Sequence, residues 1–262
     1  MPVITSRRHP IVAEVRAAAR GDDGRMLLDG WHLVADAANA GLRLDVVAVS
    51  GTTTADESAL LARLDNHGCR IVEVTPRVMD ALSPVRTPSG VIALASRPSS
   101  AVEALLDPAP ALVVVAVGVQ DPGNVGAIIR AAEAGGATGA LLDATSADPF
   151  GWKALRAAMG SSLRLPIGRE ADVTARLSAW RAAGLTILST DARHGADLYD
   201  TSLTGPCAVV MGAEGGGVPP SLHEAADARI RIPLRAPVES LNVAVAAALI
   251  VYEARRQRGR AR

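Results

Sequence analysis

Strand-like apolar runs alternate with helix-like stretches from residue 111 to the end of the chain, and this alternation constrains the fold more than any other feature. Strands are predicted at Leu112 to Val117, Gly139 to Leu142, Arg164 to Pro166, Leu185 to Ser189, Cys207 to Met211 and Arg229 to Ile232. Several are apolar at nearly every position, as in ALVVVAVGV (111–119). A strand with one wet face alternates polar and apolar residues, so a continuous apolar run has both faces covered. This part of the chain therefore reads as a parallel sheet with helices on both sides. Such sheets bind ligands at the carboxyl ends of their strands, which directs attention to the segments just after each run.

The N-terminal part mixes the helical and strand periods. Pro10 to Arg20 reads as a helix, Met26 to Leu28 as a short apolar run, and HLVADAANAG (32–41) as an amphipathic helix that Gly41 terminates. Strands are predicted at Asp45 to Val49, Arg70 to Val74 and Gly90 to Ser96, with a helix over Ala55 to Asn66. This is a small α/β/α domain, taken as residues 1–97. Prolines and paired serines mark 98–110 as a linker holding at most one short helix, ahead of a second domain at 111–262. The chain has 262 residues, and domains run to about 100–200 residues each, so two are expected.

Hydrophobic residues at 49% and charged residues at 21% belong to a globular chain rather than a disordered one. Aromatic residues are only 2%, so the core must be built from Ala, Val, Leu and Ile. The formal net charge is zero, which removes any whole-molecule attraction for a polyanion. The ends are basic all the same. Arg7, Arg8, Arg16 and Arg20 oppose Glu14 near the start, and Arg255, Arg256, Arg258, Arg260 and Arg262 oppose Glu253 at the end. These fit either contact with RNA phosphates or, at the C-terminus, a solvated tail. Cys69 and Cys207 are isolated, which suggests neither a disulfide framework nor a zinc site, and the five histidines show no metal-ligand spacing. The first residues lack the apolar core of a signal peptide, and no apolar run is long enough to cross a bilayer. A cytoplasmic enzyme without membrane or metal is the expectation.

Three segments carry unusual residues after predicted strands. In the first (117–142), Asp121, Pro122 and Gly123 make a turn, Asn124 is placed to cap the next helix, and Arg130 follows within two turns. An arginine near a helix N-terminus opposes the macrodipole, so it points to an anionic partner. In the second (207–222), glycines 212, 215, 216 and 217 surround Glu214 and open the backbone to a ligand. Pro219 and Pro220 follow, so this is neither a dinucleotide fingerprint nor a P-loop. In the third (230–256), Ser240 is a plausible cap for an alanine-rich helix beginning after Leu241 and Asn242. Each alone also reads as ordinary scaffolding.

Together and in this order they resemble the three motifs of the SpoU (TrmH-like) family of RNA 2′-O-methyltransferases. The matching stretches are DPGNVGAIIRAA, MGAEGGGV and IPLRAPVESLNVAVAAAL. The resemblance takes in GWKALRAAMGSSLRLPI (151–167), and RMLLDGWHLVADAANAG (25–41) is similar to the family's ribosomal-protein-like substrate-binding domain. It implies an α/β fold whose C-terminal domain is tied in a deep trefoil knot, a topology otherwise essentially absent from proteins. It implies S-adenosylmethionine as methyl donor, bent in the knot and held mainly by backbone at Met211, Gly212, Ile232, Pro233 and Leu241. That mode of holding would account for the lack of a conspicuous acidic cofactor residue. It implies a homodimer through the knot domains. It places Asn124, Arg130, Glu214, Ser240 and Asn242 at the family's functional positions, with Arg130 reaching into a site completed by the other subunit. The family's arginine is associated with the target phosphate and with deprotonating the hydroxyl. A guanidinium with a pKa above about 12 is a poor base, so stabilising the developing alkoxide is the better role for Arg130. Ala213, Ala236 and Ala244 depart from the family's usual residues but hold no proposed chemical role.

The two-domain layout is similar to ribosomal RNA members, so methylation of a ribose in 23S ribosomal RNA is the leading expectation. A transfer RNA 2′-O-methyltransferase is one alternative. A catalytically silent RNA-binding or ribosome-assembly protein is another, opposed by the intact set of motif residues. A nucleotide-binding Rossmann enzyme is a third, opposed by the missing fingerprint.

Overall fold

The structure is a computed structural model that describes residues 3–260, except the side chain of Arg260. Arg262, counted above with the basic C-terminal end, lies outside the described residues. The chain forms two compact units. One holds the residues up to Pro98 together with Phe150–Arg164, and the other holds Ser99–Pro149 and Leu165 onward.

The first unit begins with α1 (Pro10–Arg20), β1 (Arg25–Asp29), α2 (Trp31–Asn39) and β2 (Leu44–Val49). It continues with α3 (Ala55–Asn66), β3 (Arg70–Glu73), α4 (Pro76–Leu82) and β4 (Val91–Ser96). The sheet order is β1-β4-β2-β3, with β4 antiparallel to both neighbours and β2 parallel to β3. Alternate strand residues face opposite sides. Leu27, Val46, Ala48, Ile92 and Leu94 face a core completed by Ile11, Val12 and Val15 of α1 and Val78 and Leu82 of α4. The capping box predicted by neither period is present at α3, where Thr54 and Glu57 satisfy each other's backbone N–H.

From the second unit come β5 (Leu112–Ala116), α5 (Pro122–Gly135) and β6 (Gly139–Asp143). The connection after β6 leaves that unit, and its helices α6 (Trp152–Ala158) and α7 (Ser161–Arg164) pack with the first. Trp152 seals that unit's core, and Arg164 pairs with Asp36 at 3.1 Å. The strand expected at Arg164 to Pro166 is displaced, since α7 occupies its start and β7 is Ile167–Glu170. The sequence SSLRLPIG offers no alternation to set the boundary, and Pro166 has no N–H to give a ladder.

The rest follows as α8 (Val173–Ala182), β8 (Thr186–Thr190), the short β9 (Ala196–Asp197), β10 (Cys207–Met211), α9 (Pro220–Ala225), β11 (Ala228–Arg231) and α10 (Val243–Arg260). The strands form one sheet in the order β7-β6-β5-β10-β8-β11-β9, and every pairing is parallel. One face packs Val113, Val115, Ile187, Ala208 and Val210 against Leu177 and Trp180 of α8 and Leu222 of α9. The helices α5 and α10 lie against each other, and Gly135 is required there because a Cβ would strike the side chain of Val251.

The basic C-terminal end is neither a free tail nor an open phosphate site over its described part. Arg258 donates to the carbonyls of Leu203 (2.9 Å), Pro110 (2.7 Å), Ala111 (2.9 Å) and Gly205 (2.7 Å). Arg255 donates to the carbonyl of Ala134 at 2.6 Å, and Arg256 pairs with the buried Glu253 at 2.5 Å. Arg255 and Arg258 fasten α10 to its own unit, while Arg256 pairs within the helix.

Candidate active site

The glycine segment after β10 closes on itself. The N–H of Gly217 donates to the carbonyl of Ala213 at 2.9 Å, and a Cβ on Gly212 would collide with the backbone of Gly217. Gly217 has φ +64°, a conformation open to glycine at no steric cost. Glu214 sits in this loop. Its Oε1 accepts a hydrogen bond from Nδ2 of Asn124 at 2.8 Å and another from Nδ2 of Asn242 at 2.8 Å. The same Asn242 amide lies 3.0 Å from Oδ1 of Asn124. One residue from each sequence motif therefore meets in a single hydrogen-bonded triangle.

Local sequence explains how each corner is held. Asp121, not Asn124, caps α5, because its Oδ1 accepts the N–H of Asn124 at 2.8 Å. Pro122 takes the first helical position, where no N–H is needed. The Asn124 side chain is thereby left for Glu214. At α10 the cap is Asn242, not Ser240: Oδ1 of Asn242 accepts from the N–H of Ala244 (2.9 Å) and Val245 (3.3 Å). Its oxygen holds the helix while its nitrogen holds the triangle. The Ser240 hydroxyl is exposed and has no hydrogen bond among the described residues.

Arg130 stands apart from this cluster. It is exposed on α5 and has no hydrogen-bond or ion-pair partner among the described residues. It also lies eight residues past Pro122, beyond the first turn where the helix dipole acts, so the dipole argument does not apply to it.

A cavity of about 840 Å³ opens beside the triangle, between the segments that follow β8, β10 and β11. Its size falls in the range of small-molecule sites, about 300–1,000 Å³. Met211, Gly212, Ile232 and Leu241 line it, as do Glu214, Ser240 and Asn242. Pro233 is exposed and is not a lining residue, nor is Arg130. Val218, Ala246 and Ile250 add apolar wall. A cavity rimmed by glycine backbone, with apolar wall on one part and polar side chains on another, fits a nucleoside. Among the described residues no group of His, Cys, Asp and Glu is arranged to hold a metal ion.

Two polar networks escaped the sequence reading. At the end of β6, Asp143 is only 8% exposed. It accepts hydrogen bonds from the hydroxyls of Thr145 and Ser146 and from the N–H groups of Gly118 (3.0 Å) and Ser146 (2.9 Å). Burial acts to raise its pKa, but these donors outweigh burial and hold the carboxyl below its usual range. The network ties the segment leading to Asp121 and Asn124, because Ser146 Oγ also receives the N–H of Val119 at 3.0 Å. At the end of β8, Ser189 Oγ lies 2.9 Å from Nδ1 of His223, and Nε2 of His223 lies 4.0 Å from Oδ2 of Asp191. Burial and the nearby Arg229 push the His223 pKa down, against the pull of Asp191. Both networks rest on residues that look like commonplace strand-end turns; only the recurrence of Asp just after an apolar run hinted at them.

The pattern described as the SpoU rRNA Methylase family matches residues 111–252, and an MRM3-like substrate binding domain matches residues 15–93. A Mycobacterium tuberculosis protein described as an uncharacterized tRNA/rRNA methyltransferase is 31% identical over 97% of this chain and 82% of its own length. The AdoMet-bound rRNA methyltransferase of Sinorhizobium meliloti superposes with a TM-score of 0.88 at 30% identity, covering 97% of each chain. A solved RNA 2′-O ribose methyltransferase superposes with a TM-score of 0.84 at 31% identity, covering 98% of this chain and 99% of its own. The conjunction of three motif residues in one triangle with this match over most of its length makes the chain a member of the SpoU rRNA methylase family.

Proposed function

We propose that the chain transfers a methyl group from S-adenosylmethionine to a ribose 2′-hydroxyl of ribosomal RNA, most specifically 23S ribosomal RNA, in the cytoplasm. The observation that carries this reading is the Asn124–Glu214–Asn242 triangle at the rim of a glycine-edged cavity. Similarity to an AdoMet-bound rRNA methyltransferase and to an RNA 2′-O ribose methyltransferase supports the donor and the acceptor. In this reading the knot that the family resemblance implies forms the donor pocket.

The bound donor supplies an electrophilic methyl on a sulfonium. The chain's residues do the rest by placement. Met211, Gly212, Ile232 and Leu241 hold the donor, with Pro233 shaping the loop behind Ile232. The triangle presents fixed amide and carboxylate groups to the ribose, and Ser240 lies at the same rim. Arg130 would grip the RNA phosphate and stabilise the negative charge that develops on the ribose oxygen as its proton passes to solvent, the donor leaving as S-adenosylhomocysteine. Aligning oxygen, carbon and sulfur removes much of the entropic barrier.

The separation of Arg130 from the triangle fits a site completed across a homodimer. Val245, Leu249 and Tyr252 are 48%, 38% and 51% exposed and fall on one side of α10, just after Asn242. A contiguous exposed apolar stripe fits burial against a second copy. A sedimentation measurement that finds only monomer would remove this part of the reading.

The test of the function is incubation with ribosomal and transfer RNA and isotopically labelled donor, followed by mapping of the modified nucleotide. Label on a 23S ribose oxygen is expected. Label on a base, or on transfer RNA alone, overturns the acceptor assignment. A native chain that binds the donor yet modifies no RNA favours the silent RNA-binding alternative.

A further inference from the structure

The cavity contains a carboxylate outside the three motifs. Asp191 directly follows β8, and its N–H donates to the carbonyl of Ile230 at 2.9 Å, which fixes its backbone against β11. Its Oδ1 is committed, accepting the N–H groups of Arg193 (2.8 Å) and His194 (2.9 Å). Its Oδ2 accepts no hydrogen bond among the described residues, and Nε2 of His223 stands 4.0 Å from it. Of the other charged side chains that line the cavity, Glu214 takes two asparagine amides on Oε1, beside the triangle, and Arg193 pairs with Glu239 at 3.4 Å, while Arg231 is a cation and accepts nothing. Asp191 thus brings to the cavity one carboxylate oxygen with open acceptor capacity.

Sheet order says which part of a ligand it meets. Its strand β8 is the parallel neighbour of β10, which carries the glycine loop, and β10 in turn neighbours β5, which leads to Asn124. With strands about 4.8 Å apart, Asp191 lies roughly two strand spacings from the β5 end. Methyl transfer belongs beside the triangle, so Asp191 faces a part of the donor that does not react. In dinucleotide-binding α/β sheets a glycine loop after one strand and a carboxylate at the end of the adjacent strand hold a nucleoside, the carboxylate accepting from a ribose hydroxyl; the glycine loop here differs from theirs, but the juxtaposition at neighbouring strand ends is the same. A single available oxygen suits a single hydroxyl.

We propose that Asp191 Oδ2 accepts a hydrogen bond from a ribose hydroxyl of the donor's adenosine, giving the pocket a side-chain contact specific for the sugar. The inference rests on the methyl-donor reading and deepens it. The backbone does not supply all of the recognition.

The probe is 5′-methylthioadenosine, which has the sugar but neither the amino-acid part nor the sulfonium, with its 2′-deoxy and 3′-deoxy forms. Calorimetry on the full native chain should show that one of the two deletions weakens binding about tenfold. In Asp191→Ala the parent probe should bind about tenfold more weakly, and the same deletion should then cost less than about twofold. Asp191→Asn retains an oxygen for the two backbone N–H groups. It serves if the alanine variant does not fold, with a reduced deletion penalty expected. A penalty that persists in the variants overturns the proposal. So does a variant that loses affinity for S-adenosylhomocysteine but not for 5′-methylthioadenosine, since the carboxylate would then serve the amino-acid part. A native chain that binds neither ligand overturns the donor reading itself, whatever the variants do.

Discussion

Two carboxylates stand at strand ends in the second unit, and the structure treats them in opposite ways. Asp143 is buried and accepts from four donors, two hydroxyls and two backbone N–H groups. Glu214 is exposed, receives two amides on one oxygen, and faces a cavity. A buried carboxylate must have its acceptor capacity filled, because removing a partner leaves an expensive unpaired group. An exposed one can keep an oxygen for a substrate. The first corner is built for rigidity and the second for chemistry, and the first steadies the segment that brings Asn124 to the second.

Substitutions can break or sharpen this contrast. Arg130→Ala is expected to have the largest effect, a rate loss of about a thousandfold from removing a charge that acts in the transition state. Donor affinity should stay within about twofold, because Arg130 lies outside the cavity. Unchanged turnover would take Arg130 out of the chemistry. Asp143→Ala comes next. It strands the Thr145 hydroxyl and the N–H groups of Gly118 and Ser146, and should cost about 3 kcal/mol in chemical denaturation. A variant as stable as the native chain would erase the distinction between the corners. Glu214→Gln should reverse that outcome, with stability within about 0.5 kcal/mol of native and turnover down roughly tenfold to a hundredfold.

The smallest effect is in pH. The Asp143 carboxyl titrates below its value in the unfolded chain, about 3.9, so the folded state prefers it ionised. Its contribution to stability is complete above that value and is lost as pH falls through the lower folded value. Denaturation curves from pH 6 to pH 3 should therefore show an acid-side loss that is diminished in Asp143→Asn. Equal slopes in the native chain and Asp143→Asn would mean that the buried carboxyl has no preference.

The centre of the parallel sheet was legible because β5, β6 and β10 are apolar at nearly every position, and the α/β/α unit because its helical and strand periods are distinct. Residues such as Asn124, Glu214 and Asn242 were legible only as motif members; nothing local says that they touch. Their caps were misassigned for a physical reason. Asp121, Asn124, Ser240 and Asn242 are all good cap residues, and which one caps depends on where the backbone turns. The connection from Phe150 to Arg164 reads as continuous with its neighbours, yet it packs with the other unit, because Trp152 has an apolar core there to join. Asp191 was marked only by its place just after an apolar run, and an aspartate there usually does no more than make a turn.

The long helix α10 begins beside Asn242 and is clamped at its far end by Arg258 to carbonyls just before β5 and β10. Its 18 residues span about 27 Å at 1.5 Å each, so it works as a strut braced against the opposite ends of the central strands. A slip of one residue at the clamp would swing Asn242 by about 100° around the axis and out of reach of Glu214. Remoteness from the substrate is thus no measure of a residue's bearing on the reaction, for the alignment of the rim is referenced to an anchor at the other end of the domain.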